Sequence, residues 1–258
     1  DNSGNNNHGI IYGAEWSDDV PLMNPPPIAD NYSLKFDGED DYIDCGIPSN
    51  DFNITSDNIT WSVSFKLLQT ETGAEIDYSP LISQEIGGGA QNKWMLFYAI
   101  HEDRFGIHIY GPGLPSQWIY SDNISLDYDT YYHLRLNKIG TSYNFYLNES
   151  LIGSSSGSSN IPYVDAPMYI GKGWEYFSGN IEEIKIWDTN VDNVGETIFE
   201  SDLIAYWDFN QGSGPLLLDH SGNNNHGIIY GAEWSDDVPN MDPPQPPQGN
   251  YSLFFDGV

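Results

Sequence analysis

Positive charge is scarce in this sequence. Eight lysines and arginines stand against 38 acidic residues in a chain of 258, a formal net charge of −30. Such a chain repels phosphate backbones and anionic headgroups, which excludes nucleic acid and anionic membrane as direct partners. No apolar run approaches the roughly 20 residues of a membrane helix, so no membrane insertion is expected. Cysteine is nearly absent. With Cys45 alone, no disulfide forms within the chain, and its place in YIDCG fits a small buried apolar residue better than a nucleophile. Sustained helical periodicity is missing too; only Val191 to Phe199 hints at a helical turn. No secretory leader is present, since Asp1 opens in mid-motif and the true N-terminus is expected elsewhere.

The material of strands and turns is plentiful. Aromatics make up 14% of the residues, with 26 glycines, 16 prolines and many asparagines, serines and aspartates. The chain also repeats itself. Asp1 to Pro21 reads DNSGNNNHGIIYGAEWSDDVP; Asp219 to Pro239 reads DHSGNNNHGIIYGAEWSDDVP, differing only at Asn2 against His220. After a proline-rich stretch, NYSLKFDG at Asn31 to Gly38 returns as NYSLFFDG at Asn250 to Gly257. A spacing of about 218 residues is too long for a solenoid and equals one all-β domain. The chain therefore reads as a little more than one unit of a tandem array. The proline-rich stretches, Leu22 to Asp30 and MDPPQPPQGN, sit at the same place in each unit and read as fixed extended loops.

Strand signals recur along the chain. Trp61, Val63, Phe65 and Leu67 alternate with Ser62, Ser64 and Lys66. Trp94 to His101 is continuously apolar, as in a central strand. Phe105 to Tyr110, Tyr132 to Leu136 and Tyr143 to Leu147 alternate, and Asn148-Glu-Ser predicts a hairpin into Leu151. Gly153 to Ser159 reads as a loop; Met168 to Ile170, Ile181 to Trp187 and Ile204 to Phe209 read as strands. Many short strands of this kind predict an all-β fold, two antiparallel sheets packed as a jelly-roll sandwich.

Two groups of residues carry possible chemistry. In the loop at Asp219, oxygen-bearing side chains fall at alternate positions, Asp219, Ser221, Asn223 and Asn225, and again at Asp1, Ser3, Asn5 and Asn7. Alternate oxygens on a tight loop can converge on Ca²⁺; the competing reading is a set of Asx-turns. Trp118, Trp174 and Tyr176 lie near predicted loops, where rings can stack on pyranose faces; the competing reading is ordinary packing. The six histidines show no zinc spacing, and no nucleophile signature appears. Sequons at Asn31, Asn53, Asn58, Asn123, Asn148 and Asn250 accord with a secreted surface protein.

Several phrases together resemble the laminin-G-like domains of the concanavalin A-like lectin/glucanase superfamily in their prokaryotic tandem-repeat form. They are LIAYWDFNQGSGPLLLDHSGNNNHGIIYGAEW from Leu203, YSLKFDGEDDYIDCG from Tyr32, ITWSVSFKL from Ile59 and YFSGNIEEIKIWD from Tyr176. The resemblance implies a concanavalin A-like sandwich over residues 1–200 that lacks its own opening strand. Residues 201–258 then open the next repeat, or supply a strand to the first or a neighbouring sandwich. It also implies a structural Ca²⁺ at a sheet rim, with Asp37 in the FDG block and Glu182 where the family usually has Asp. Related glucanases carry E-x-D-x-x-E on one strand. This chain does not, and Glu182 and Glu183, adjacent on a strand, are expected on opposite faces. No catalytic residue is assigned.

The expectation is a non-catalytic repeat of an extracellular surface protein, an adhesin stalk or self-assembling fibre braced by Ca²⁺, with neighbouring copies of the repeat as partners. The alternative is a carbohydrate-binding module of a secreted polysaccharide-degrading enzyme, with a polysaccharide or glycan as ligand.

Overall fold

The computed structural model describes residues 15–17, 31–46, 57–69, 76–85, 93–111, 113–161, 163–191, 203–239 and 252–254. The metal-loop candidates of the first block, both proline-rich stretches and most of the expected helical turn after Val191 lie outside the described residues. The chain divides into two compact units, one of residues 1–29 with 239–258, the other of residues 30–238.

The large unit is a sandwich of two antiparallel sheets. The first sheet contains β2 (Ser33–Asp37), β4 (Asn58–Leu67), β9 (Tyr131–Ile139), β10 (Ser142–Leu147), β11 (Ser150–Ser156), β13 (Ser178–Trp187), β14 (Leu203–Trp207) and β17 (Glu233–Ser235). Its order is β11-β10-β9-β4-β13-β2-β17, with β14 also paired to β13. The second sheet contains β3 (Tyr42–Asp44), β5 (Tyr78–Glu85), β6 (Lys93–Ala99), β7 (Arg104–Gly111), β8 (Leu114–Tyr120), β12 (Met168–Ile170), β15 (Leu216–Leu217) and β16 (Gly227–Tyr230), in the order β15-β16-β3-β12-β5-β6-β7-β8. In the small unit, β1 (Glu15–Ser17) pairs antiparallel with β18 (Ser252–Phe254).

Alternation explains which face each strand buries. Trp61, Val63, Phe65 and Leu67 of β4 enter the core, as do Leu134 and Leu136 of β9 and Tyr143 and Phe145 of β10. They meet the second sheet in aromatic contacts such as Trp61–Trp94 at 5.9 Å and Phe65–Phe105 at 6.0 Å. β6 is apolar on both faces: Trp94, Leu96 and Tyr98 point into the core, while Met95, Phe97 and Ala99 form a second cluster outside it. The β10–β11 hairpin turns on Asn148 and Glu149, both at positive φ (47° and 63°), as a right-twisted two-residue hairpin requires.

Two expectations need correction. Gly153 to Ser156 is strand, not loop, because its backbone completes the ladder to β10 around an irregularity at Phe145/Tyr146. Glu182 and Glu183 do not take opposite faces. A bulge between Ile181 and Glu183 adds one residue, so Ile181 and Ile184 both reach the core and the two glutamates lie together between them.

The outer face of the first sheet absorbs several of the scarce cations. Lys66 and Arg135 are buried there, whereas Lys138 is buried on the core side of β9, opposite Ile59 and Tyr143, and donates to the Asp57 carbonyl at 2.9 Å. Arg135 lies 4.0 Å from the Tyr146 ring centroid and donates to the Val191 carbonyl at 2.8 Å. Cys45 is buried, and burial raises its thiol well above its ordinary range, which leaves it a packing residue.

Candidate functional site

The outer face of the second sheet is unusually aromatic. Trp118 of β8, His108 of β7, Met95 of β6, Ser83 of β5 and Tyr169 of β12 stand in register across five strands. Trp118 and His108 pack at 4.3 Å with their planes tilted by 34°, and the loop after β12 brings Trp174 against both, 5.2 Å from Trp118 and 5.1 Å from His108. Tyr120 lies nearly parallel to Trp118, 12° between planes, and Tyr78 meets Phe97, Trp118 and Trp174 at 5.3, 5.7 and 5.8 Å. Gly106 makes the platform flat. A Cβ there would sit 2.6 Å from Phe97 and 2.8 Å from Tyr120. Trp118 is 39% exposed, a large ring left open to solvent. The rim is polar: Arg104 lies 3.6 Å from the Tyr120 ring centroid and contacts Glu102, and Glu175 accepts the Tyr78 backbone N–H at 2.6 Å.

Tyr176 joins a different group. Tyr42 and Tyr230 stack at 4.8 Å, with Tyr169 at 5.7 Å and Tyr176 at 6.4 Å from Tyr42. The Lys172 ammonium lies 3.9 Å from the Tyr42 centroid and 4.6 Å from that of Tyr169. The short loop closed by the Lys172–Tyr176 bridge thus gives Trp174 to one ring group and Lys172 and Tyr176 to the other. Sequence reasoning missed Tyr42, Tyr169 and Tyr230. Tyr42 and Tyr169 sit next to the core residues Ile43 and Ile170, and Tyr230 next to the half-buried Ile229, and that alternation was the available signal.

The carboxylates sort differently from the expectation. Asp37 gathers with Asp40 and Asp41, their ligand oxygens within 4.8 Å of one another. Asp41 accepts the Asp37 N–H at 2.8 Å. Burial, and to a lesser extent the charges of Asp37, Asp40 and Glu233, push its carboxyl up to about 6. A cavity of about 460 Å³ adjoins this turn, lined among others by Lys35, Asp37, Asp41, Gln69 and Glu233. Glu182 is not in the group. It lies at the β13 bulge with Glu183 and Asp208 as charged neighbours, and Glu183 pairs with Lys185 at 2.5 Å.

In the loop at Asp219 the side chains are engaged in hydrogen bonds. One Asp219 oxygen accepts the N–H groups of Tyr206 and Ser221, and the other accepts the Ser221 hydroxyl and the Asn225 N–H, all at 2.8–2.9 Å. Asn223 and Asn225 donate their amides to the Ile204 carbonyl at 3.0 and 2.9 Å. These bonds are those of an Asx-type turn and fasten the loop to β14.

One further cluster has the spacing of a catalytic relay without its surroundings. Ser62 Oγ is 2.7 Å from His133 Nε2, and His133 Nδ1 is 3.2 Å from Glu149. Ser62 is fully buried in the middle of β4, which pairs with β9 and β13 on its two sides. These contacts tie β4, β9 and the β10–β11 turn together.

Burial, reinforced by Glu183 and Asp208, pushes Glu182 up to about 7 from its ordinary 4.5. The folded state therefore holds its proton more tightly than the unfolded one. The associated stability is fully present below about pH 4.5 and is lost as pH rises through 7. His133 works against this: burial lowers its pKa, so its share is lost as pH falls below 6.5. Glu182→Gln is expected to melt roughly 3–6 °C above wild type at pH 8 and close to it at pH 4.5, in paired thermal scans. Equal melting temperatures at pH 8 would contradict a buried carboxyl here.

The comparisons with known proteins agree with this architecture. Residues 37–193 match the Laminin_G_3 family model, described as the concanavalin A-like lectin/glucanases superfamily. The chain belongs to that laminin-G-like family. No curated protein matches in sequence. Among solved structures it is similar to a Bacteroides ovatus protein to which carbohydrate binding is ascribed, at 14% identity and TM-score 0.58, over 80% of this chain and 59% of that one. It is also similar to the CBM40 domain of the Ruminococcus gnavus IT-sialidase, at 16% identity and TM-score 0.50, over 62% of this chain and 92% of that one. Mouse laminin alpha1 domains LG4-5 align at 10% identity and TM-score 0.45, over 60% of this chain and 40% of that one. At these identities the likeness is one of fold. The chain spans about three fifths of the length of the Bacteroides protein. Among the described residues no helix is long and apolar enough to cross a membrane.

Proposed function

We propose that this chain is a non-catalytic, glycan-binding repeat of an extracellular surface protein, and that the aromatic face of Trp118, Trp174 and Tyr78 holds the sugar. One observation carries the reading: rings at 5–6 Å spacing gather around His108 on a rigid sheet, Trp118 among them open to solvent, with Arg104, Glu102 and Glu175 at the rim. A core has no need of such a face, and an exposed apolar patch on a surface this acidic marks a contact site. The ligand class is a neutral polysaccharide, since stacking uses the C–H faces of pyranoses and the net charge disfavours polyanions. The fold likeness to the Bacteroides protein and to the sialidase module lends support. Ca²⁺ belongs to this reading as a brace. Asp37, Asp40 and Asp41 fit a hard cation, as clustered carboxylates of which the buried one is reluctant to ionise alone.

A glycan array followed by calorimetry on the hits, with and without chelator, tests both parts. Trp118→Ala and Trp174→Ala are each expected to weaken binding about tenfold or more at unchanged circular dichroism, whereas Tyr176→Ala, in the other ring group, changes it less. Wild-type affinity in Trp118→Ala would remove the platform from consideration. A melting temperature indifferent to chelator would remove the ion.

A further inference from the structure

The loop between β12 and β13 is fastened to the outer face of the second sheet. The Ser83 hydroxyl donates to the Lys172 carbonyl at 2.6 Å, the Phe177 N–H donates to the Gly171 carbonyl at 2.8 Å, and the Glu175 carboxylate accepts the Tyr78 N–H. Gly173 keeps the loop low. A Cβ there would sit 2.3 Å from Met95 Sδ and 3.2 Å from Pro80. The loop is a shallow, fixed ridge that joins the two ring groups: Trp174 packs in one, Lys172 and Tyr176 in the other.

The tyrosine group differs from the Trp118 platform in chemistry. Tyr42 and Tyr230 are direct cross-strand partners, stacked with 16° between their planes, and Tyr230 is 43% exposed. The Lys172 ammonium lies against Tyr42 and Tyr169. Among the described residues it meets only rings, with no carboxylate paired to it. Lys66, Lys185, Arg104 and Arg135 each pair with an acid, as expected where acids outnumber bases 38 to 8. Lys172 therefore presents its N–H donors to solvent. Asp44 shares the face. It stands opposite Tyr169 and two residues from Tyr42, and burial together with charges that include Asp44 raises both phenols. Donors at Lys172 and an acceptor at Asp44 beside an apolar stack complement sugar hydroxyls, each of which both donates and accepts. An anionic group would meet the charge of Asp44.

The two groups lie along one line. The row that begins at Trp118 and passes Ser83 continues through Tyr169 and Asp44 to Ile228, two residues from Tyr230. Six strand steps separate β8 from β16, roughly 29 Å at the usual spacing. An extended pyranose chain advances about one strand spacing per sugar, so about three units cover the platform and about six reach the tyrosines. We propose that the tyrosine group is a second subsite of the same glycan site, in which Lys172 donates to the hydroxyls of a pyranose several units along the chain from the one on Trp118, so that the site selects a long, extended, neutral chain. The inference rests on the platform reading above and adds the length and shape of its ligand.

Calorimetry with neutral β-1,4-linked gluco-, manno- and xylo-oligosaccharides, each as trimer and hexamer, tests it. In the series that binds, wild type should hold the hexamer about tenfold or more tighter than the trimer. Lys172→Met keeps the stem over the rings and removes the donors. It should weaken the hexamer about fivefold and leave the trimer unchanged, and Tyr230→Ala should do the same. Trp118→Ala should weaken both lengths. Equal affinity for trimer and hexamer, or a hexamer indifferent to both Lys172→Met and Tyr230→Ala, overturns the second subsite while the Trp118→Ala loss keeps the platform. Wild-type affinity for both lengths in Trp118→Ala overturns the platform, and the second subsite with it. If none of the three series binds, the extended neutral chain is overturned, and the array still decides the platform. A length gain seen only with oligogalacturonates, which carry a carboxylate on every unit, assigns Lys172 to an anion and also overturns the inference.

Discussion

Trp207→Ala lowers the unfolding free energy by about 4 kcal/mol, close to the full margin of an ordinary domain. Trp207 is fully buried in β14 opposite Ile184 of β13, and its indole N–H is satisfied by the Asn225 carbonyl. Alanine leaves a cavity at the join between the opening strand and the loop that carries the duplicated block, and strands that carbonyl. Trp207→Phe keeps most of the volume and loses the hydrogen bond, so a smaller cost of about 1–2 kcal/mol is expected. Urea unfolding followed by fluorescence reads both. A Trp207→Ala midpoint equal to that of Trp207→Phe would show that packing does not hold the closing segment.

Gly179→Ala is the second large effect. Gly179 is in β13, opposite Leu67 of β4 on one side and Phe36 of β2 on the other, at φ +148°. A Cβ there would lie 1.9 Å from the Lys66 carbonyl oxygen. Neither strand can retreat, because each is held by ladders on both sides. The methyl group must therefore part β13 from β4 at the centre of the first sheet, at a cost of about 3 kcal/mol or more. Thermal unfolding measures it. A loss under 1 kcal/mol would mean that the strands separate there with little resistance.

The core was legible in the sequence wherever one face was buried. Trp61 to Leu67 and Tyr143 to Leu147 announce their inward sides by strict alternation, and they line the core. Where backbone pairing alone makes a strand, the pattern is silent: Gly153 to Ser156 has serines and glycine on both faces and is still β11. A single extra residue in β13 was also invisible, and it put Glu182 and Glu183 on one face. The ring platform was half legible. Trp118 and Trp174 were visible as candidates, but their meeting depends on the β7–β8 register and on a loop folded back over β6. Tyr176, two residues on from Trp174, went to the other group because the Lys172–Tyr176 bridge turns the loop. Asp37 found its partners within the same turn, whereas Glu182 lies farther along β13, beyond the Ser178 that pairs with Asp37.

The way the sandwich is closed has a mechanical consequence. β2 and β17, which begin and end the large unit, are antiparallel neighbours, with Ser33 opposite Ser235. Tension applied through the two ends of the unit therefore opens their ladder one hydrogen bond at a time, like a zip, instead of shearing all of them together. The Lys66 and Ser33 contacts to Asp237 sit at the mouth of that zip and act as its catch.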